Sequence, residues 1–302
     1  MTHRRERPWE IHLALAGAQT GFALFPIFGK LALGLIPPLV FAAFRVVSAA
    51  ILLDVIRSVN GRESIRPGDR RKILLYGLLG VSFNQILFIL GLSMTTAINT
   101  TILTATIPVF TIAAAALLGR ERMTVRAAAG IALAGAGALA LLNAQRFDWS
   151  SLAFRGDLLL LANSLSYSLY LVLSRPILAH YRVATFTAAV FRYGALLILV
   201  LAWPELKRFE PSRVTPLAWS CLAGVIVFCT VVPYLLNSWA LARTHASHVA
   251  FYVFLQPVIA TVLAILILGE ALTWKTVLAA GLIFAGLAIG LVRGQLPARP
   301  VP

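Results

Sequence analysis

The chain has 302 residues, of which 60% are hydrophobic and 12% charged, with a mean hydropathy of +0.87 and a formal net charge of +15. A soluble domain carries roughly 25% charged residues; so much apolar side chain could not be hidden from water, and lipid must be the solvent for most of the surface. The positive charge does not point to nucleic acid, because the basic residues are scattered over short connections and form no patch interleaved with aromatics. In that arrangement Lys and Arg set topology and face anionic headgroups.

Runs of about 20 mostly apolar residues can cross a bilayer as helices, which satisfy their own backbone hydrogen bonds. In chain order the sequence predicts such runs at 11–33, 38–58, 71–92, 95–118, 124–142, 156–175, 184–203, 215–241, 246–268 and 274–292. The first is too long for the apolar core of a signal peptide and holds Gln19, Pro26 and Lys30, so it is expected to stay as a helix. No connection exceeds about fifteen residues, so no soluble domain is expected, and no GxxxxGK loop is present to drive an ATP-hydrolysing engine. Cys221 and Cys229 lie eight residues apart on one predicted helix. That is roughly 12 Å along its axis, beyond the roughly 7 Å that a disulfide allows.

Orientation follows from Lys and Arg. With a cytoplasmic N-terminus, Arg4, Arg5, Arg7, Arg57, Arg62, Arg66, Arg70, Arg71, Lys72, Arg120, Arg122 and Arg126 lie inside and only Lys30 lies near the outside. The second half shows no bias: Arg146, Arg155, Lys207, Arg208, Arg213 and Lys275 outside against Arg175, Arg182, Arg243, Arg293 and Arg299 inside. Inverted copies explain the contrast, since five helices is an odd number and a second copy then enters from the opposite face.

The repeat is visible in residues. Phe44-Arg45 matches Phe191-Arg192 at an offset of 147; Pro108-Val109 matches Pro257-Val258 at 149, and so do Glu121 and Thr124 with Glu270 and Thr273; Gly130 and Gly135 match Gly281 and Gly286 at 151. The expected organisation is an all-α membrane protein with ten transmembrane helices, residues 1–142 and 143–302 forming two inverted five-helix repeats around a central cavity. Repeats of this kind are typical of transporters, whose substrate site lies near the midplane between them.

The stretch TTAINTTILTATIPVFTIAAAALLGRERMT, Thr95 to Thr124, and its second copy HASHVAFYVFLQPVIATVLAILILGEALT, His245 to Thr273, share a small or polar helix start, a mid-helix Pro-Val and an apolar run closing on Gly, Glu and Thr. These segments resemble the end of the repeat in the drug/metabolite transporter superfamily, EamA type, and the chain is also similar to the YddG-type amino-acid exporters. The resemblance implies a multi-pass protein of a bacterial cytoplasmic (inner) membrane with both termini cytoplasmic. It also implies export of amino acids or related small metabolites by alternating access. The partners it implies are the bilayer and a small-molecule substrate, with no nucleic acid, no cofactor and no enzymatic reaction. Efflux of lipophilic compounds is the alternative function, and an intramembrane enzyme is disfavoured because no HExxH and no mid-span carboxylate is seen.

Intramembrane polar side chains need a partner or a wet cavity. Candidate cavity-lining residues are Gln19, Asn84, Gln85, Phe88, Asn99, Asn163, Tyr167, Tyr234, Asn237, Tyr252 and Gln256, with His248, Tyr252 and Gln256 at helical steps of four. Amide, hydroxyl and aromatic groups suit an amino acid held without excessive affinity; interhelical hydrogen bonds are the other reading. Arg45 and Arg192 sit too deep to snorkel comfortably, as structural or gating charges or as anchors for a substrate carboxylate. Lys30 either snorkels to the interface or serves the pathway. Pro26, Pro108, Pro233 and Pro257 are read as fixed kinks or as bends that move. Asp54, Asp157, Glu121 and Glu270 fall at span ends, so facilitated diffusion is expected rather than proton antiport, with His12 and His248 as the remaining proton carriers. No cluster has metal-ligand spacing. The small residues Gly130, Ala134 and Ala138, and Gly286 and Gly290, serve helix packing or dimerisation; a homodimer or a monomer is expected.

Overall fold

The computed structural model describes residues 8–59, 61, 63–120, 124–143 and 150–291, and among these the regular structure is helical throughout. Ten rods follow one another: α1 Pro8–Leu33, α2 Pro38–Val59, α3 Pro67–Met94, α4 Ala97–Leu117, α5 Val125–Asn143, α6 Leu152–Leu178, α7 Val183–Leu206, α8 Pro216–Leu241, α9 Ala246–Leu268 and α10 Trp274–Leu291. Eight are long and apolar enough to cross a bilayer; α5 and α10 have shorter apolar stretches, Ala128–Ala140 and Trp274–Gly286.

Sequence chemistry sets the helix ends. Thr96, Ser151 and Thr215 accept hydrogen bonds from the backbone N–H groups of Asn99, Phe154 and Ala218, three residues on, satisfying donors that a helix start leaves open. Gly269 ends α9 in the left-handed region at φ 66°, where a side chain would be strained. Glu270, just past it, reaches across to α4 and accepts from Ala97 N at 2.8 Å and Ile98 N at 3.0 Å, a carboxylate placed on a helix N-terminus.

Four of the rods are interrupted in mid-course. α3 and α8 each contain a π-helical turn, Leu78–Phe83 and Val227–Val231. α4 breaks at Ala105-Thr106, and α9 tightens into a 3-10 turn at Tyr252–Phe254. Pro108, Pro233 and Pro257 sit at the second or third position of the regular segment that follows a break, where a missing N–H costs little. Pro26 lies inside an uninterrupted helix, as do Pro176 and Pro204 near the ends of α6 and α7.

Packing pairs the rods. α1 lies against α8 and α9, α6 against α3 and α4, α2 against α7, and α5 against α10. The last contact uses the small residues: a Cβ on Gly286 would meet Ala134 N at 2.5 Å and Gly130 O at 2.6 Å. That stripe is spent inside the chain. At one end of the bundle the start of α3 and the connection before it are tied to the connection between α6 and α7, through Tyr181 Oη to Asp69 at 2.7 Å and Arg182 N to Glu63 at 2.9 Å. Burial first, and then the bond to Asp69, raise the Tyr181 phenol pKa. Cys221 and Cys229 are buried free thiols.

Candidate functional site

Polar side chains buried within an apolar bundle must find partners, and here they find one another across helices. α1 acts as a ruler. His12, Gln19 and Lys30 lie along one helix, and at 1.5 Å per residue they span about 27 Å. Each meets a different partner set.

The central set is built on Arg45, which is 1% exposed. Its Nε donates to Thr230 Oγ1 at 2.6 Å, one Nη to Gln85 Oε1 and the other to the carbonyl of Cys229 at 3.2 Å. The guanidinium carbon lies 3.6 Å from the Phe25 ring centroid, and Phe25 stacks on Phe88 at 4.7 Å. Gln85 passes the network on by donating to Tyr234 Oη at 2.8 Å, while Tyr234 donates toward Asn84 Oδ1 and the Gly80 carbonyl, both at 3.1 Å. Asn163 donates to the Asn84 carbonyl at 2.7 Å, and Asn237 to Tyr167 Oη at 3.0 Å. The Gly80 and Cys229 carbonyls belong to the two π-helical turns; a π turn shifts the hydrogen-bond register, and such turns recur at functional sites.

Further sets flank this centre. Gln256 donates to Gln19, both buried. Tyr252 Oη is bonded to His12 Nδ1, the His12 and His248 rings are 5.7 Å apart, and Thr244 Oγ1 is 2.8 Å from His248 Nδ1. At the opposite end Lys30 donates to the carbonyl of Thr95, so its ammonium is held by backbone instead of reaching for headgroups. Asn99 joins that end, bonding Thr95 Oγ1 at 3.4 Å, and stands apart from the central set.

Two expectations change. The expected central cavity is packed shut in this structure: Gln19, Arg45, Gln85 and Tyr234 are at most 3% exposed. A crevice of about 930 Å³ lies at the bundle end instead, lined by Trp9, Glu10, Leu13, Arg182, Leu236 and Trp239, and none of the expected lining residues borders it. Arg45 and Arg192 do not share an environment: Arg192 is half exposed and forms an ion pair with Asp54. The carboxylates stay near the helix ends as expected: Asp157, fully buried, lies in the second turn of α6, and Asp54, near the end of α2, meets Arg192. Glu121 lies outside the described residues. Thr230, Phe25 and the Cys229 carbonyl were not legible as site groups. A lone Thr, a Phe among many and a backbone oxygen carry no sequence signal, and only the second π turn, in a Pro- and Thr-containing stretch of α8, could have hinted at them.

An apolar helical bundle with hydrogen-bonded polar sets between its rods is the architecture of a multi-pass membrane protein. A model of the EamA-like transporter family matches residues 9–143 and again 154–292, and the chain belongs to the EamA-like transporter family. It is similar to the uncharacterized transporter YetK of Bacillus subtilis (strain 168), 24% identical over 95% of this chain and 88% of that protein. An uncharacterized transporter of Archaeoglobus fulgidus is 27% identical over 91% of this chain and 95% of its own length, and the protein WALLS ARE THIN 1 of Arabidopsis thaliana is 24% identical over 92% and 81%. A solved crystal structure superposes with a TM-score of 0.69 at 19% identity, over 98% of this chain and 100% of that one, which shows the same fold. The protein is thus a membrane transporter of small molecules and not an enzyme; among the described residues no group of His, Cys, Asp and Glu could hold a metal ion.

Proposed function

We propose that the chain exports amino acids or closely related small metabolites across the cytoplasmic membrane by alternating access, in the manner of the YddG-type exporters. The observation that carries this reading is the central polar set. It offers amide, hydroxyl and guanidinium groups with aromatic walls, contributed by both family matches. Such groups can orient a zwitterion while the rings accept its side chain. Gln19, Asn84, Gln85, Phe88, Asn163, Tyr167, Tyr234, Asn237 and Gln256 form the binding surface once it opens; Tyr252, Asn99, Lys30 and Arg192 act toward its ends.

The two halves, 1–142 and 143–302, are read as inverted repeats. Supporting this, the principal helix contacts map onto themselves when α1–α5 and α6–α10 are exchanged, and the two π turns begin 149 residues apart. Gln85 and Tyr234, also 149 apart, bond to each other, as residues astride a two-fold axis would. The breaks in α3, α4, α8 and α9 are the places where rods would bend. Transport runs down the substrate gradient, both termini are cytoplasmic, and the unit is a monomer, since the α5 and α10 small residues serve an internal contact.

Uptake of each of the twenty amino acids by purified protein in liposomes, with and without a pH gradient, tests this. Movement of one or more under a substrate gradient alone is expected, and movement of none sinks the reading. The apolar crevice flanked by Trp9 and Trp239 favours efflux of lipophilic compounds as the second reading, which predicts dye extrusion in the same liposomes.

A further inference from the structure

Arg45 is the largest side chain wholly enclosed by the described part of the bundle. Every group that touches it is formally neutral: Thr230, Gln85, the Cys229 carbonyl and the Phe25 face. Among the described residues it makes no ion pair, whereas Arg192, at the matching step of α7, is neutralised by Asp54. A guanidinium carries five N–H groups, and three are engaged here, which leaves one hydrogen on each Nη. A buried cation held by dipoles alone keeps much of its desolvation cost, and its planar fork is shaped for two parallel bonds to a carboxylate.

We infer that Arg45 is an anion-recognition site, where the carboxylate of the transported solute docks on the two free Nη hydrogens, so that the preferred solute is a small carboxylate-bearing molecule. This rests on the core being the transport path. The missing counter-charge comes from the substrate. Binding then turns an unneutralised core into a paired one, which favours closure around a loaded solute over closure around an empty or cationic one. Gln85, which shares one Nη with the incoming oxygen and bonds Tyr234 at the same time, would relay occupancy from α2 to α8. Phe25 and Phe88 would flank the remainder of the solute. A purely structural arginine, tying α2 to α3 and α8, would not discriminate between solutes by charge.

The test compares acids with their neutral twins. Protein in liposomes is assayed with a transported amino acid, competed by the same amino acid, by its carboxamide and by the decarboxylated amine. The amide and amine should compete at least about tenfold more weakly, the loss expected for hydrogen bonds to a charged group. Arg45→Gln should abolish that discrimination, and Arg45→Lys should keep part of it. Equal competition by acid and amide in the unaltered protein overturns the inference and leaves amino-acid export standing. If no amino acid moves, acetate, benzoate and succinate are tried with the matching amides. A preference for the acids keeps the inference while amino-acid export fails, and movement of lipophilic amines only, or of no acid at all, sinks the inference. Should Arg45→Gln not fold, as judged by size-exclusion in detergent, the acid–amide comparison in the unaltered protein decides.

Discussion

Arg45 and Arg192 show how one sequence feature acquires two meanings. Both follow a Phe and both lie about a third of the way into a helix. The side chain on α2 turns inward among neutral acceptors and the one on α7 turns outward to Asp54. At this scale Tyr234 and Gln85 are the neutral hubs of the core, with three side-chain hydrogen bonds each. Tyr234→Phe removes the hydroxyl serving Gln85, Asn84 and the Gly80 carbonyl. Gln85 and Asn84 keep their own side-chain bond at 3.2 Å, so the loss expected is about 1–3 kcal/mol for the bonds removed from the buried core, measured as a lowered melting temperature in detergent. Lining and helix glue separate on α9. Tyr252→Ala and Gln256→Ala should weaken apparent substrate affinity about three- to tenfold while the protein still inserts. Phe284→Ala on α10, which loses apolar packing and an edge contact with Phe254 at 5.7 Å between centroids but no polar partner, should leave affinity unchanged. Equal affinity loss at all three sites would mean that these side chains only hold helices together.

The interrupted rods are the elements on which the proposed movement would turn, and α5 and α10 would stay static. Gly286→Leu puts a side chain where even a Cβ is 2.6 Å from the Gly130 carbonyl. Overpacking of this kind is expected to destabilise by about 1–3 kcal/mol or more, whereas transport per folded molecule should persist because the polar core lies elsewhere. A stable protein with abolished transport would put α10 in the mechanism. Glu270→Gln weakens the cap on α4 at Ala97 and Ile98, and a loss of about 0.5–2 kcal/mol is expected, as for other N-terminal caps; hydrogen exchange of the first turn of α4 would report it directly.

For the whole molecule, the connection holding Glu63 and the one holding Tyr181 and Arg182 share one end of the bundle. A single cysteine at Ser212 should therefore react with a membrane-impermeant reagent in intact cells while one at Ser64 should not, and the reverse pattern would remove the inverted-repeat proposal. Transport should also proceed in liposomes with a substrate gradient and no imposed pH difference. A strict need for a pH gradient would turn attention to the buried Asp157 and to His12 and His248, with His248→Ala as the next measurement.

Composition and hydropathy alone determined the membrane class and the positions of the rods, because a lipid solvent leaves a chain few options but apolar helices. They also marked the polar residues that gather in the core, since Gln19, Gln85, Asn163 and Tyr234 are too costly within a bilayer to be incidental. Partnership was beyond them. That Arg45 meets Thr230 and Cys229, 185 and 184 residues away, depends on two helices crossing at a π turn, and no local pattern encodes a crossing. Tertiary structure likewise decided that Arg192 has a counter-ion and that Arg45 has none among the described residues. Periodicity shows which residues share a face, but the charge balance of a buried group is set by whatever the other helices bring to it.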